Sequence, residues 1–337
     1  MRSSGGMDMD MDMDLGTEGA MRVLVVGAGA TGGYFGARLA QAGRDVTFLV
    51  RGPRAAHLAA HGLEVRSPHG DFRIAAPATV TADRLAGRFD LVLLSCKAYD
   101  LDGAIEAVSP AVGPDTVVLP VLNGMAHLDV LDARFGPERV LGGSCAIAGT
   151  LGPAGEIVQM TELHSLTFGE RDGAATERMA RIAALMEGAA FTARPSERIL
   201  LEMWEKWVFL ATLAGGTCLM RGTVGDIVAA PGGRDFMLGL LDECRRIAAG
   251  AGHAPRDKFF AATQGTLTAE DSPMTASMLR DIARGAAIEA DHIVGDLRRR
   301  GREAEPGAAF PHLDAVYTGL KTYERRRARE RAAGATA

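Results

Sequence analysis

Residues Met21–Gly36 have the sequence MRVLVVGAGATGGYFG, from which the fold of the N-terminal half can be predicted. Arg22–Val26 is an apolar run without alternation, which predicts a parallel strand buried on both faces. Gly27, Gly29 and Gly32 follow it in a G-x-G-x-x-G pattern, directly before a segment that predicts a helix. A strand, a glycine-rich turn and a helix in this order are typical of a dinucleotide-binding βαβ unit.

Each glycine of this turn has a separate physical purpose. The first permits a tight turn, the second lets the backbone approach a pyrophosphate, and the third lets the helix pack closely on the strand. The helix that begins near Ala30 would direct free N–H groups and the positive end of its dipole at phosphates. We therefore predict a cofactor-binding loop, with an ordinary tight turn as the alternative. The loop comprises Gly27, Ala28, Gly29, Ala30, Thr31 and Gly32.

The end of the second predicted strand indicates which nicotinamide cofactor binds. The strand covers Asp45–Val50 and is followed by Arg51, with Arg54 shortly after and no acidic residue at the strand end. In this fold an acidic residue there binds the ribose 2′-hydroxyl, whereas an arginine can receive a 2′-phosphate. The sequence therefore predicts NADP(H), unless Arg51 is only a solvated loop residue.

Two further buried strands bring polar side chains to the same place. Asp90–Ser95 precedes Lys97, and Thr116–Leu122 precedes Asn123. Ligands bind outside the carboxyl ends of the strands in open parallel sheets, so these side chains should meet the glycine turn at one rim. Taken singly, Lys97 could be a surface lysine and Asn123 part of an ordinary Asn-Gly turn.

The remaining pattern predicts an α/β protein, an N-terminal Rossmann-type doubly wound parallel sheet plus an all-helical C-terminal domain. Residues 140–169 would extend the sheet with shorter strands, and only helices follow from Arg198. We expect a disordered extension at 1–20, an NADP-binding domain at 21–195, a helical substrate domain at 196–325 and a flexible basic tail at 326–337. The apolar helical half could supply a homodimer face.

Composition excludes several classes of function. The formal net charge is −5, of which the acidic extension carries most, and the basic residues lack interleaved aromatic side chains, so we predict no nucleic-acid partner. The longest apolar run, Trp207–Met220, is too short for a membrane span and predicts a buried helix. Four scattered cysteines favour reduced thiols and a cytoplasmic location. His57 and His61 lack further ligands, so no metal site is predicted.

The helical half contains candidates for proton transfer. Lys206 lies in a predicted helix over Ile199–Leu213, where it could pair with Glu202 four residues earlier or point into a cleft. A cationic group aimed at a carbonyl oxygen could donate its proton to a forming alkoxide. Spacing alone favours the surface pair. A second predicted helix covers Ser277–Leu297, in which Glu289 and Asp291 are most simply solvated acids.

In their order along the chain, these motifs resemble the ketopantoate reductase (2-dehydropantoate 2-reductase) family from Met21 to about Glu324. The matching elements are the glycine turn at Gly27–Gly32, Arg51, Lys97 in LLSCKAYD, Leu122–Met125 as LNGM, Glu202–Lys206 as EMWEK, Ser277–Ile282 as SMLRDI, and Glu289.

The resemblance implies NADPH-dependent reduction of ketopantoate to pantoate or of a related 2-oxoacid. It makes Lys206 the catalytic acid and Glu289 a contact of the substrate hydroxyl, and it thus reverses the preference from spacing. It further implies that Ser277 binds the far end of the substrate, and that Lys97 and Asn123 border nicotinamide and substrate.

One departure from the family bears on the substrate. Well-known members have asparagines four and eight residues after the catalytic lysine, whereas this chain has Leu210 and Ala214. Both changes remove hydrogen-bonding groups from one wall of the site, although Thr217 on that face could replace them. The alternatives are therefore a reductase of a less polar 2-oxoacid, a hydroxy-acid or opine dehydrogenase, and a non-catalytic NADPH-binding sensor.

Overall fold

The computed structural model describes residues 20–334, so the predicted extension lies outside the described residues except for Ala20. Five strands form a wholly parallel sheet in the order β5-β2-β1-β6-β7. The ten strands are β1 Arg22–Val26, β2 Asp45–Leu49, β3 Leu63–Arg66, β4 Phe72–Ile74, β5 Thr79–Val80, β6 Leu91–Leu94, β7 Val117–Pro120, β8 Gly142–Leu151, β9 Ile157–Gly169 and β10 Thr192–Pro195.

A second sheet has the order β10-β9-β3-β4, with β8 antiparallel to β9. We predicted that residues 140–169 would extend the first sheet with shorter strands, and this is wrong. β8 and β9 contain 10 and 13 residues, and they form a hairpin whose turn includes Gly155 at φ +80°. Strand β9 of this hairpin pairs in parallel with both β3 and β10.

Twelve helices surround the sheets or form the C-terminal half in the described range 20–334. They are α1 Ala30–Gln41, α2 Gly52–His61, α3 Leu101–Val108, α4 Ala126–Phe135, α5 Glu177–Met186, α6 Ile199–Met220, α7 Val224–Ala229, α8 Gly233–Gly250, α9 Asp257–Leu267, α10 Ser277–Ala283, α11 Asp296–Ala304 and α12 Pro311–Gly334. A Rossmann-like N-terminal domain followed by a mostly helical one confirms the predicted fold class, while the boundary near residue 195 stays a prediction.

Helix α6 is the central element of the helical half, as its apolar composition predicts. Trp207 is only 1% exposed. Gly215 and Gly216 allow neighbouring helices to approach, because an added Cβ would lie 2.8 Å from Leu240 Cδ2 and 2.3 Å from Met237 Sδ, both on α8. Between residues 20 and 334, no helix has the length and apolar character that crossing a membrane requires.

The single helix predicted over Ser277–Leu297 is wrong, because the chain turns after α10. Gly285 adopts φ +65°, and two donors from α12 bond the carbonyl groups that leave the helix. The Tyr323 hydroxyl donates to Ala286 O at 2.7 Å, and Arg327 Nε donates to Gly285 O at 2.8 Å. Helical structure resumes in a π-helical turn at Asp291–Gly295 that continues into α11.

The predicted flexible tail from residue 326 is instead helical as far as Gly334. Arg326 and Glu330 face each other one turn apart, with Nε and Oε1 separated by 3.7 Å. The contact of Arg327 with Gly285 O also attaches this part of α12 to the body of the protein. The basic residues therefore extend a helix that tertiary contacts already hold.

Candidate active site

The glycine turn after β1 has the geometry of a cradle for a ligand. Gly27 adopts φ +91°, and its N–H donates to Leu49 O at 2.9 Å. An added Cβ at Gly32 would lie 1.9 Å from Ser95 Oγ, so this glycine permits close packing of α1 against the end of β6. A Cβ at Gly29 would meet no described atom within 4 Å. The second glycine thus faces open space, as approach by a pyrophosphate requires.

A positive group stands beside this turn. Arg54 Nε donates to Ala28 O at 3.2 Å, and its Nη1 donates to Gly155 O at 2.8 Å. Its Nη2 is buried and has no hydrogen-bond partner among residues 20–334. Ala30 and Thr31 begin α1, whose first N–H groups have no acceptor within the helix. An orphaned donor, free amides and an open glycine together fit an anionic dinucleotide.

The arginine predicted to choose the cofactor is paired with an acid that the sequence did not single out. Arg51 lies at the N-terminus of α2, and its Nη2 is 2.6 Å from Asp100 Oδ1. The Arg51 side chain is 77% exposed. The hydrogen bond and charge of Asp100 raise the pKa of Arg51. Asp100 ends a 3-10 turn that follows Lys97, three positions along the chain.

Lys97 joins the two halves of the chain. Its Nζ is 3.1 Å from Asp281 Oδ2 and 3.2 Å from Glu289 Oε2. Glu289 Oε1 also accepts from Ala98 N at 3.0 Å, and this side chain is only 8% exposed. Burial lowers the pKa of Lys97, but the two carboxylates outweigh it and raise the pKa overall. The spacing-based interpretation of Glu289 as a solvated acid is therefore wrong.

A narrow cleft separates the rim of the parallel sheet from α6. It brings Lys206 and Asn123 to one place, together with Ser144 on β8, which belongs to no motif in the sequence. Leu210, one turn after Lys206, forms part of the same wall. The lining residues are Leu122, Asn123, Gly124, Gly143, Ser144, Met203, Lys206, Trp207 and Leu210.

The acids next to Lys206 in sequence are occupied by other residues. Glu202 Oε1 accepts from Arg194 Nη1 at 3.1 Å and from Ser196 Oγ at 2.9 Å. Glu205, 2% exposed, accepts from the backbone N–H of Arg256 at 2.9 Å and from its Nε at 2.8 Å.

The pairing of Lys206 with Glu202 that spacing favoured is therefore wrong. Within residues 20–334 no hydrogen bond or salt bridge engages the Lys206 amine. A half-buried ammonium group with free donors is thus available to a ligand oxygen in the cleft.

Two histidines lie behind the Asn123-Gly124 turn. His127 is fully buried, and its Nδ1 lies 3.4 Å from Nε2 of His292 in the π-helical turn. Gly124 has φ +79°, and an added Cβ would lie 2.9 Å from His292 O. Burial lowers the pKa of both imidazoles, and the charges of His292 and Lys206 lower that of His127 further. The wall behind the cleft is therefore uncharged near neutral pH.

The far end of α6 offers fewer polar groups than the sequence suggested. Ser277 is exposed at the start of α10, and the preceding Ala276 N donates to Thr217 Oγ1 at 3.4 Å. Thr217 lies eleven positions after Lys206, which is about 16 Å along a helix. Its hydroxyl donates to Leu213 O at 2.7 Å, so it does not replace the missing asparagines. Ala214 is buried at 3% exposure.

The cysteines do not contribute a reactive thiol to this site. All four are free, and burial raises the pKa of Cys96, Cys218 and Cys244 to about 12. Their thiols therefore stay protonated near neutral pH. Within the described residues no three His, Cys, Asp or Glu side chains are grouped to bind a metal ion.

Comparison with known proteins gives one consistent result. The profile described as "Ketopantoate reductase PanE/ApbA" matches residues 23–173, and its C-terminal counterpart matches residues 198–324. An uncharacterized oxidoreductase, YkpB of Bacillus subtilis, is 36% identical over 304 residues, covering 90% of this chain and 99% of the relative. A 2-dehydropantoate 2-reductase of Mesorhizobium japonicum is 27% identical, covering 88% and 95% respectively.

Comparison with solved structures leads to the same family. The crystal structure of 2-dehydropantoate 2-reductase from Geobacter metallireducens has a TM-score of 0.80 and 28% identity, and the match covers 90% of this chain and 99% of that one. The two profiles together account for both halves of the chain, including the glycine turn and Lys206. The chain belongs to the ketopantoate reductase family, a family of nicotinamide-dependent oxidoreductases.

Proposed function

We propose that this protein reduces 2-dehydropantoate (ketopantoate) to (R)-pantoate with NADPH, as a step of pantothenate biosynthesis. The observation that carries the proposal is the Lys206 ammonium group, which has no partner among residues 20–334 and lies in a cleft with Asn123. Glu202 and Glu205 are bonded to other residues. Bound NADPH would supply a hydride to the C2 carbonyl carbon. Lys206 would then donate a proton to the oxygen, where it stays as the product hydroxyl, and the amine would take up a new proton from solvent.

The other polar groups would orient the substrate. Asn123 would form a hydrogen bond to the reacting end of the substrate beside Lys206. Glu289 would accept a hydrogen bond from the substrate hydroxyl, and Lys97 Nζ and Ala98 N would hold the Glu289 carboxylate in place. Ser277, exposed at the start of α10, would approach the far end of the substrate. Groups from both halves border the site, so we expect the cleft to close around the substrate.

For the cofactor, we propose NADP(H) across the glycine turn. The first amides of α1 and Arg54 would contact the pyrophosphate, and Arg51 would receive the 2′-phosphate. Lys97 and Asn123, which follow β6 and β7, would border the nicotinamide. This proposal is supported by Arg54 Nη2, a buried donor that has no hydrogen-bond partner among residues 20–334 and that an anionic ligand would satisfy.

A second candidate is a reductase of this family that acts on a less polar 2-oxoacid. Leu210 favours it, because this side chain lines the cleft one turn after Lys206. Thr217 already donates within its own helix, so the wall lacks the hydrogen-bonding groups that would select a hydroxylated substrate.

The test is the rate of NADPH oxidation by the full chain with ketopantoate and with a panel of bulkier 2-oxoacids lacking the hydroxyl. A kcat/KM of about 10⁴ M⁻¹s⁻¹ or more with ketopantoate would support the first candidate. Preference for an apolar 2-oxoacid would support the second. Tight NADPH binding without turnover of any 2-oxoacid would contradict both and indicate a sensor.

The domain limits 21–195 and 196–325, the homodimer and the cytoplasmic location also remain proposals. The four free thiols support a reducing compartment. Light scattering of the purified chain would test the dimer, and limited proteolysis would test the boundary near residue 195.

A further inference from the structure

The Arg51–Asp100 salt bridge joins the loops on either side of β1, whose glycine turn is the proposed dinucleotide site. Arg51 follows β2 and Asp100 follows β6, and these two strands flank β1 on either side. Strands in a sheet are about 4.8 Å apart, so the two loops are separated by about 10 Å, with the glycine turn between them. The guanidinium and carboxylate therefore pair across the carboxyl end of β1, the end at which the glycine turn lies.

We propose that Asp100 is a cofactor-specificity residue that competes with the 2′-phosphate of NADPH for Arg51 and so narrows the preference for NADPH over NADH. The proposal rests on the function proposed above, because it assumes a nicotinamide dinucleotide on the glycine turn. It concerns which of the two dinucleotides binds and is independent of the substrate.

The charges around Arg51 support this competition. Its side chain is 77% exposed, and Asp100 is its one salt-bridge partner within residues 20–334. Arg54, the other cation after β2, is directed to Ala28 O and Gly155 O, so it does not take over the position of Arg51. A 2′-phosphate would have to displace the Asp100 carboxylate or accept its repulsion at a few ångströms.

The same carboxylate would favour the cofactor without the phosphate. An acidic residue at the end of the second strand of this fold accepts from the ribose hydroxyls of NADH. Asp100 brings an equivalent carboxylate to this region from the loop after β6 rather than from the end of β2. The pair thus offers a cation to one dinucleotide and an acceptor to the other.

The experiment measures dissociation constants of NADPH and NADH for the full chain, by titration of reduced-nicotinamide fluorescence without substrate. We expect Asp100→Asn to raise the ratio Kd(NADH)/Kd(NADPH) about tenfold, the size of one partly screened charge acting at a few ångströms. The matched control is Asp102→Asn, an exposed acid on α3 with the same change in charge, for which the ratio should stay constant.

The variant Arg51→Gln tests whether Asp100 acts through Arg51 or through the overall charge of the site. In Arg51→Gln the phosphate loses its cation, so a further Asp100→Asn change should shift the ratio clearly less than in the parent chain. An unchanged ratio in Asp100→Asn, or an equal shift in Asp102→Asn, would refute the role of Asp100 while leaving the proposed function intact. If the parent chain binds neither NADPH nor NADH, both the role of Asp100 and the proposed function are refuted.

Discussion

Two glycines of the same turn should respond differently to an added methyl group, one by a loss of stability and the other by a loss of ligand binding. Gly32→Ala would place a Cβ 1.9 Å from Ser95 Oγ and 2.7 Å from Gly27 O. Gly29→Ala would place it in open space, on a backbone at φ −87° and ψ −166° that alanine adopts without strain. The first change should therefore damage the fold, and the second should affect only a ligand that approaches Gly29.

The magnitudes follow from these contacts. The Ser95 side chain can rotate, but Gly27 O belongs to the backbone, so α1 must move away from the end of β1 in Gly32→Ala. Overpacking of this kind costs about 1–3 kcal/mol, and the better helix propensity of alanine returns up to about 1 kcal/mol. We expect a net loss of about 1–2 kcal/mol in the free energy of unfolding. Gly29→Ala should change it by less than about 0.5 kcal/mol.

The assay combines thermal unfolding with NADPH titration of both variants. Gly32→Ala should lower Tm by several degrees, at about 2–4 °C per kcal/mol for domains of this size. Gly29→Ala should keep the parental Tm but weaken NADPH binding at least tenfold, or about 1.4 kcal/mol. If Gly29→Ala binds NADPH as tightly as the parent chain, the inferred approach of the pyrophosphate to this glycine is refuted.

Two further predictions concern stability. His127 and His292 have lowered pKa values in the folded chain, chiefly through burial, so below about pH 6.5 the unfolded chain binds more protons than the folded one. The free energy of unfolding should therefore fall with decreasing pH, by up to about 1.4 kcal/mol per pH unit for each histidine. Urea unfolding between about pH 7.5 and about pH 5 should show this dependence of the free energy of unfolding on pH. If His127→Gln has the same pH dependence as the parent chain, the contribution of His127 is contradicted. Glu205→Gln should lower the free energy of unfolding by about 1–3 kcal/mol, because the buried side chain loses charge-assisted hydrogen bonds to Arg256. Glu197→Gln, a change at an exposed position, should leave the free energy of unfolding unchanged. Equal denaturation midpoints for these two variants would rule out that contribution.

The N-terminal half of the site was accessible from sequence because its signals are local. The apolar run of β1, the glycine spacing and the start of α1 are contiguous, and the parallel strands bring Lys97 and Asn123 to the same rim by topology alone. Asp100 was missed because its contact with Arg51 joins loops 49 positions apart. Nothing in the sequence near either residue indicates that pairing.

The helical half shows where spacing misleads. Glu202 and Lys206 have the separation of a helical ion pair, but Arg194 from β10 takes the carboxylate instead. The motif resemblance, and not the spacing, led to Lys206 as a candidate acid. Similarly, the continuous helical pattern after Ser277 concealed a break at Gly285, which tertiary bonds from Tyr323 and Arg327 stabilise.

The central claim is that Lys206 donates the proton to the reduced carbonyl oxygen. Its most direct test is NADPH oxidation with the best 2-oxoacid substrate in Lys206→Ala, with and without added ethylamine, beside the exposed-lysine control Lys258→Ala. We predict that Lys206→Ala lowers kcat by about 10²–10⁴ with little change in the Kd of NADPH, that ethylamine restores part of the rate, and that the control is unaffected. A Lys206→Ala variant that turns over at the parental rate would contradict the account.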